Sequence, residues 1–383
     1  MIIGINGFEA VIPRFGYNPN GLPNRVGSSE VGFELLLKLS EIDKNNEYVI
    51  YLPSFPTPDM PKESERWHYE IVPNVPLWTI LGLGRKLLVK PRLDVFFSPS
   101  HYGPLFTSCP QVITILDLSY KYFPELFKKS DLLKLALWGK YSIKKAAKII
   151  TISQSSRNDI IKEYRAGPDK VSVVYPGIKQ VSSSKYKVFS MKQLTEKYGI
   201  NSPFILFVGT LQPRKNISRL IEAFFRMVSN GDLMDSNLQL VIIGRRGWKY
   251  EEILEAPKKF GVEDKVLFLD NVTDEDLPEF YKNAKCFVLP SLYEGFGLPI
   301  LEAMQYGCPV LTSNISSLPE AGGDAAIYFD PYDVNDMADK IKKVLEDESL
   351  RAKMKKEGFK QIKKFSWEKS AREVLRVLEE AAK

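Results

Sequence analysis

The sequence predicts two α/β domains in tandem, each a parallel sheet wound with helices. Three observations carry that expectation. At 383 residues the chain exceeds what one hydrophobic core usually organises. Short apolar, β-branched runs alternate with helical patterns along its whole length, as βαβ units require. The alternation breaks once, at the polar stretch "GIKQVSSSKYKV", and restarts at "PFILFVGT".

Taken in order, the strand candidates of the first half are "MIIGIN", "YVIYL", "DVFFS", "QVITIL", "KIITIS" and "VSVVYP". Between them, "SSEVGFELLLKLSEI" and "DLLKLALWGKYSIKKAA" carry apolar residues at helical spacing. The second half repeats the rhythm with "FILFVG", "QLVIIG", "KVLFLD", "CFVLP", "PVLTS" and "AIYFD", separated by helices such as "SRLIEAFFRMV" and "LPILEAMQYG". We therefore expect a first domain over 1–180, a linker over 181–200 and a second domain over 201–366. The last helix, 367–383, lies beyond the second domain's strands and is free in sequence to pack back on the first.

Composition removes several functions. Hydrophobic residues at 44% and charged residues at 26% suit a globular protein, and no apolar run reaches the roughly 18 residues of a membrane span. "MIIGINGFEA" lacks the basic start of a secretion signal and reads as a first strand. Cys109, Cys286 and Cys308 show no CxxC spacing, so neither a disulfide framework nor a zinc site is expected, and a cytoplasmic location fits. Two histidines, His68 and His101, and no GxSxG disfavour a Ser-His-Asp hydrolase and a multi-His metal site.

Two parallel α/β domains facing each other would enclose a deep cleft, and ligands of such sheets bind at the carboxyl ends of the strands. The loops after "GIN", "VGT" (Gly209), "IIG" (Gly244) and "VLP" are the places to search. After the last comes "SLYEGFGLPILEAM", with Glu294 and Glu302 either side of a turn, Gly295-Phe296-Gly297-Leu298. Glycines let backbone N–H groups approach an anion closely, and Pro299 suits a helix start, where the dipole favours negative charge. Diphosphate is the natural guest. Glu302 lies ~6 Å along that helix from Leu298, and both glutamates can accept hydrogen bonds from hydroxyls flanking the phosphates. The ligand this describes is a diphosphate with a polyol at each end. For either glutamate alone, a turn cap or a solvated helix residue remains an equal reading.

The segment "PSLYEGFGLPILEAMQYGCPVLTSNISSLPEAGGDAAIYFDP" resembles the E-x7-E region of family 4 retaining glycosyltransferases, the group 1 type. "FVGTLQPRKN" is similar to that family's basic loop, and "KIITISQSSRNDII" and "FSWEKSA" also resemble family segments. The resemblance implies a GT-B architecture: two Rossmann-like domains facing a deep cleft, the second binding a nucleotide sugar. It implies that Glu294 contacts donor-sugar hydroxyls and steadies charge at the anomeric carbon, and that Glu302 holds the ribose. It gives Gly295, Phe296, Gly297 and Leu298 to sugar and diphosphate through their backbone, and Arg214 and Lys215 to the departing diphosphate. Without the resemblance, Arg214 and Lys215 would read as an ordinary exposed basic pair.

In the first domain, "VGSSEVGFELL" opens a helix at Gly27, Ser28 and Ser29; Gly27 is a donor contact by resemblance, with Ser28 or Ser29 as a plain N-cap the alternative. Asp117 ends the strand "VITILDLSY" and is a candidate for hydroxyl contacts, or else a turn cap. Many relatives carry a histidine just before it where this chain has Leu116. His101 and Tyr102 are candidates for the acceptor side. A missing base is tolerable in a same-face mechanism, where the leaving phosphate oxygen accepts the acceptor's proton and the site supplies electrostatics and positioning.

"TDEDL" at 273–277 matches a metal-binding DxD pattern, but it precedes an apolar helical run and reads as a helix start. No metal and no cofactor are expected. Residues 121–148 hold eight lysines against Glu125 and Asp131, a local excess equal to the chain's net +6. With interleaved leucines this is either a solvated helix face or one that lies on anionic membrane; nucleic acid is not expected. The reading is a metal-independent hexosyltransferase that moves a sugar, with a lean to mannose, from GDP-mannose or a UDP-sugar to a glycan or lipid-linked saccharide. It would sit in the cytoplasm, with the inner membrane face as a place of peripheral contact. An epimerase or phosphorylase on the same fold, or a non-catalytic sugar-nucleotide binder, are the alternatives.

Overall fold

A computed structural model describes residues 1–12, 16–17, 21–25, 27–89, 93–179, 191–200, 203–229, 237–270 and 272–383. The chain divides into two compact units. One comprises Met1–Gly177 and Phe365–Lys383, the other Ile178–Lys364.

The first unit holds a parallel sheet of β1 (Ile2–Asn6), β2 (Glu47–Leu52), β3 (Trp67–Ile71), β4 (Val95–Ser98), β5 (Gln111–Ile115), β6 (Lys148–Thr151) and β7 (Val171–Val173). Their order is β3-β2-β1-β4-β5-β6-β7, so the winding reverses between β1 and β4. Both β4 and β5 are buried along their whole length, as helices on both faces of a parallel sheet require, and this is why they read as unbroken apolar runs. β3, "WHYEI", was not expected from the sequence. It is an edge strand in which only Trp67 is buried, so it lacks the apolar run that marks the others. The helix expected over "DLLKLALWGKYSIKKAA" forms in three pieces: Lys129–Lys134, a π-turn Leu135–Gly139, and Lys140–Lys145. The π-turn re-aims the helix face, which a fixed 3.6-residue period cannot anticipate.

The terminal helix Trp367–Ala382 belongs to this unit. Ser366 caps it by accepting the Lys369 N–H at 3.2 Å. Its buried residues, Trp367, Ser370, Ala371, Val374, Val377, Leu378 and Ala381, recur at three- and four-residue spacing and pack on the helix Ser28–Ile42. Ser370 Oγ donates to the Tyr175 carbonyl at 2.6 Å, and Phe365 sets its ring edge-on to Tyr175 at 5.8 Å.

The second unit is built from β8 (Phe204–Val208), β9 (Gln239–Ile243), β10 (Val266–Leu269), β11 (Cys286–Leu289), β12 (Val310–Ser313) and β13 (Ala326–Phe329). All pair in parallel in the order β10-β9-β8-β11-β12-β13, a doubly wound sheet whose winding reverses between β8 and β11. Of the stretch expected to link the domains, 181–190 lies outside the described residues. Met191–Tyr198 is a helix of the second unit, and its Lys197 and Tyr198 both donate to the carboxylate of Asp276. That bond also accounts for "TDEDL": Asp276 stands just before the helix Leu277–Asn283 and is committed to an ion pair. Among the described residues no cluster of three His, Cys, Asp or Glu side chains could hold a metal ion, and no helix is long and apolar enough to cross a membrane.

The seat of the terminal helix yields a stability prediction. Trp367→Ala removes a buried indole at the start of that helix and should lower the first unit's stability by about 3–5 kcal/mol. Amide hydrogen exchange over 367–382 and 28–42 should rise together; unchanged protection would refute the seating.

Candidate functional site

The switch point of the second sheet brings together the loop after β8 and the loop after β11. The first of these is held against the loop after β9. Gly209 N–H donates to the Ile243 carbonyl at 2.9 Å, and Leu211 N–H to the Arg245 carbonyl at 2.9 Å. The two loops approach so closely that a Cβ at Gly244 would stand 1.9 Å from the Gly209 carbonyl oxygen, so glycine alone fits at 244. Pro213–Lys215 then make one tight turn, and Asn216 closes it in the left-handed region, φ 60°, which asparagine tolerates. The Asn216 amide donates to the Pro331 carbonyl at 2.8 Å, and the Leu292 N–H donates to the Arg214 carbonyl at 2.8 Å, which fixes this turn to the loop after β11.

At their junction lies a buried ionic cluster. Lys215 Nζ donates to Glu294 Oε1, Arg214 Nη1 to Glu294 Oε2 at 3.0 Å and to the Tyr293 carbonyl at 2.8 Å, and Ser291 Oγ to Glu294 Oε1 at 2.7 Å. Lys215 and Glu294 are each only 8% exposed and the Arg214 side chain 19%, so Arg214 and Lys215 are not the exposed basic pair that their sequence alone suggests. Burial by itself pushes the Glu294 carboxyl up. The Lys215 ammonium and the Arg214 guanidinium, with the hydrogen bonds from Lys215 and Ser291, outweigh it and hold the group at about 2. The Glu294 carboxylate thus stays ionised between the two cations.

The backbone of Glu294 is fixed from a third loop. Ser316 Oγ accepts the Glu294 N–H at 3.2 Å and donates to its carbonyl at 2.8 Å, and Ser317 Oγ donates to the same carbonyl at 2.8 Å. Ser316 adopts φ 58°, a conformation costing a β-substituted residue about 1 kcal/mol or more. After Glu294 come Gly295 and Phe296, both buried, and Gly297, whose φ of 106° is open only to glycine. The helix Leu298–Gln305 follows, with half-buried Leu298 and Pro299 in its first turn. Glu302, on the same helix, receives the Tyr281 hydroxyl on Oε2 at 3.0 Å.

The sequence-derived residues Glu294, Arg214, Lys215, Gly295, Phe296, Gly297, Leu298, Glu302, Gly209 and Gly244 all fall in this unit, on the loops after β8, β9 and β11 or the helix that follows. Gly27, Asp117, His101 and Tyr102 fall in the first unit. Gly27, φ 58°, directly precedes the helix Ser28–Ile42 without any side-chain cap, so neither Ser28 nor Ser29 is the N-cap. Asp117 and His101 meet at the carboxyl ends of the neighbouring strands β5 and β4, where His101 Nε2 lies 3.2 Å from the Asp117 carbonyl oxygen. The Asp117 carboxylate accepts the Ser119 N–H at 2.8 Å, which is the turn-capping arrangement. The Tyr102 carbonyl accepts from Ser98 Oγ at 2.5 Å, and this fixes its loop. Ser291, Ser316, Ser317 and Tyr281 had no role in the sequence reading. The "SS" of "SNISSLPE" carried the only signal, a pair of hydroxyls in a loop after a strand.

The acid limb of stability reports on this cluster. A carboxyl held near 2 in the fold, against 4.5 when unperturbed, contributes stability above its unfolded value and loses it as the pH falls through the folded one. Glu294→Gln should cost roughly 3 kcal/mol at neutral pH, and its gap to wild type should shrink between about pH 5 and pH 2. Thermal melts across that range test it. A gap independent of pH would mean that Glu294 is not the ionised centre of the cluster.

Comparison with known proteins follows the same lines. The family described as glycosyl transferases group 1 matches residues 190–361, which span the cluster and the helix after it. O-antigen chain mannosyltransferase B of Escherichia coli is 35% identical over 280 residues, covering 72% of this chain and 71% of the relative. Sucrose-phosphate synthase of Thermosynechococcus elongatus superposes with a TM-score of 0.72 at 18% identity, over 99% of this chain and 98% of that one. HepE of Anabaena, solved with UDP and glucose, superposes with a TM-score of 0.70 at 17% identity, over 99% of this chain and 100% of its own. With two Rossmann-like parallel-sheet units in the GT-B class and a relative this similar along most of its length, the chain belongs to the group 1 glycosyltransferases of the family 4 type and is a hexosyltransferase.

Proposed function

We propose that the protein transfers mannose, with retention of anomeric configuration and without a metal ion, from a nucleoside diphosphate sugar to a glycan or lipid-linked saccharide. The observation that carries this is the buried cluster of Arg214, Lys215 and Glu294 at the switch point of the second sheet. Two cations fixed at one carboxylate are placed to favour a leaving diphosphate, and in this reading no metal is needed for that purpose. The mannosyltransferase relative supports the sugar, and HepE with UDP and glucose supports a nucleotide-sugar donor.

In this reading the backbone of Gly295 to Leu298 and the helix N-terminus behind Gly297 take the diphosphate. Gly209 and Gly244 let the adjoining loops pass close to it, and Gly27 is a donor contact. Glu302 accepts the ribose hydroxyls. The bond between the anomeric carbon and the diphosphate oxygen breaks as the acceptor oxygen bonds to that carbon on the same face, and the acceptor's proton passes to the departing oxygen. Glu294 steadies the positive charge that develops on the sugar, while Arg214 and Lys215 receive the negative charge that develops on the diphosphate. Asp117, His101 and Tyr102 orient the acceptor.

Lys215→Ala should lower kcat about 100-fold or more, and Glu302→Gln should raise the KM for the donor about tenfold, each with an unchanged circular dichroism spectrum. Transfer from radiolabelled GDP-mannose, UDP-glucose and ADP-glucose, with and without EDTA, reads the donor, the residues and the metal question together. Activity abolished by EDTA and restored by magnesium would refute metal independence, and an inverted anomeric signal in the product would refute retention.

The basic stretch adds a second, separate proposal: the enzyme works in the cytoplasm at an anionic membrane surface. Leu133 and Leu137 are 61% and 57% exposed, and Lys129, Lys134, Lys140 and Lys144 are exposed around them. Leucines flanked by lysines suit an interfacial helix that partitions its apolar edge and pairs its charges with lipid phosphates. Leu133→Glu with Leu137→Glu should abolish co-sedimentation with phosphatidylglycerol-containing vesicles while transfer to a water-soluble acceptor persists. Equal sedimentation of the variant and the wild type would refute the surface.

A further inference from the structure

We propose that Tyr281 is a positioning residue for Glu302 and, through it, a determinant of ribose recognition by the donor site. This rests on the ribose role given to Glu302 above and extends it to a residue with no assigned part in the reaction.

Tyr281 sits on the short helix Leu277–Asn283 and is 1% exposed. Its hydroxyl donates to Glu302 Oε2 at 3.0 Å. Its ring is held on two sides: stacked on Tyr306 at 5.8 Å with planes 11° apart, and edge-on to Phe287 at 5.6 Å and 65°. A ring locked in this way delivers its hydroxyl to one place at little entropic cost. Burial pushes the Tyr281 hydroxyl well above its ordinary value, and the Glu302 charge acts in the same direction, so the phenol remains a donor at any working pH.

The geometry matters because of what a vicinal diol needs. Two adjacent hydroxyls are bound best by a carboxylate whose plane faces both, and a glutamate on a helix has three side-chain torsions with which to miss it. Tyr281 anchors one oxygen and so restricts the plane. A carboxylate offers roughly four acceptor positions, so the phenolic bond does not by itself keep Glu302 from accepting from the diol. A core aromatic needs no hydroxyl to pack, and phenylalanine would fill the same place. The hydroxyl meeting Glu302 is therefore the part of Tyr281 that bears on the ligand.

The test compares ribose with a sugar lacking the diol. Calorimetric titration of the full chain with GDP, UDP and their 2′,3′-dideoxy counterparts gives a ribose preference for each base. Glu302→Gln should reduce that preference strongly. Tyr281→Phe should reduce it about fivefold while changing the affinity for the dideoxy nucleotide by less than about twofold, the effect of one lost hydrogen bond to a charged acceptor. If Glu302→Gln collapses the preference and Tyr281→Phe leaves it intact, the Tyr281 proposal is overturned and the ribose role of Glu302 stands. If neither variant changes it, the ribose role itself fails. Equal loss of affinity for both nucleotides in Tyr281→Phe would show a packing role only, and overturn the proposal. Should Tyr281→Phe lose its thermal melting transition, 3-fluorotyrosine at 281 keeps the volume and donates more strongly. It must raise the preference, and an unchanged value overturns the proposal.

Discussion

The constraint on which the second unit depends is the burial of Glu294 between Lys215 and Arg214. Taking three charges out of water costs several kcal/mol per ion, and their mutual attraction offsets this only where the hydrogen-bond geometry is good. Here the carboxylate accepts from both cations and from Ser291, while its own backbone is held by Ser316 and Ser317. The loops after β8, β11 and β12 are thereby joined at a single residue. The loops after β8 and β11 could not part without stranding a buried charge, and the loop after β12 holds the Glu294 backbone between them. A cluster of this kind is weak evidence for stability as such, since apolar side chains of equal volume would serve the fold as well. It lies at a topological switch point, where sheets of this class bind their ligands, and that is the ground of the role proposed for it.

The doubly wound order decides where that cluster can be. Because β8 and β11 are neighbours whose connections run to opposite sides of the sheet, the loops leaving their carboxyl ends diverge and open a crevice between them. The cations stand on the loop after β8 and the carboxylate on the loop after β11, joined by direct ion pairs. The same topology forces the loops after β8 and β9 together, and the demand for glycine at 244 follows from that contact. Sequence spacing had marked these loops separately. The sheet makes them one structure.

The sequence carried much of this, unevenly. Strands buried on both faces announced themselves as apolar runs, whereas β3 did not, because an edge strand with His68 and Glu70 has no such run. The E-x7-E spacing and the "PRKN" loop named residues that the fold gathers, but not that Lys215 is buried or that its partner is Glu294. Burial of a lysine is a tertiary fact, decided by a carboxylate 79 positions away in the chain. Tyr281 was illegible for the same reason. In "LPEFYKNAKCF" its ring reads as core, which it is, and only the folded contact shows where its hydroxyl goes. Asp117 shows both readings at once: its carboxylate caps a turn by accepting the Ser119 N–H, and that single bond leaves it further acceptor positions.

The charges of the cluster bear on why a carboxylate would be kept beside two cations that the proposed mechanism gives to diphosphate. Without Glu294, the buried Lys215 ammonium would lie beside the half-buried Arg214 guanidinium, and burial and like charge would both disfavour its charged form. With Glu294, both remain charged and in place before any ligand arrives, so their orientation is set during folding and not at the moment of reaction. In the proposed mechanism the carboxylate also competes with phosphate for them, which would temper binding of the ground state. That competition would weaken as positive charge develops on the sugar beside Glu294 and negative charge on the diphosphate beside Lys215 and Arg214. Each member of the cluster then gains a partner of opposite sign. A site arranged in this way stabilises separated charge more than it stabilises the intact donor, which is the condition for catalysis rather than mere binding.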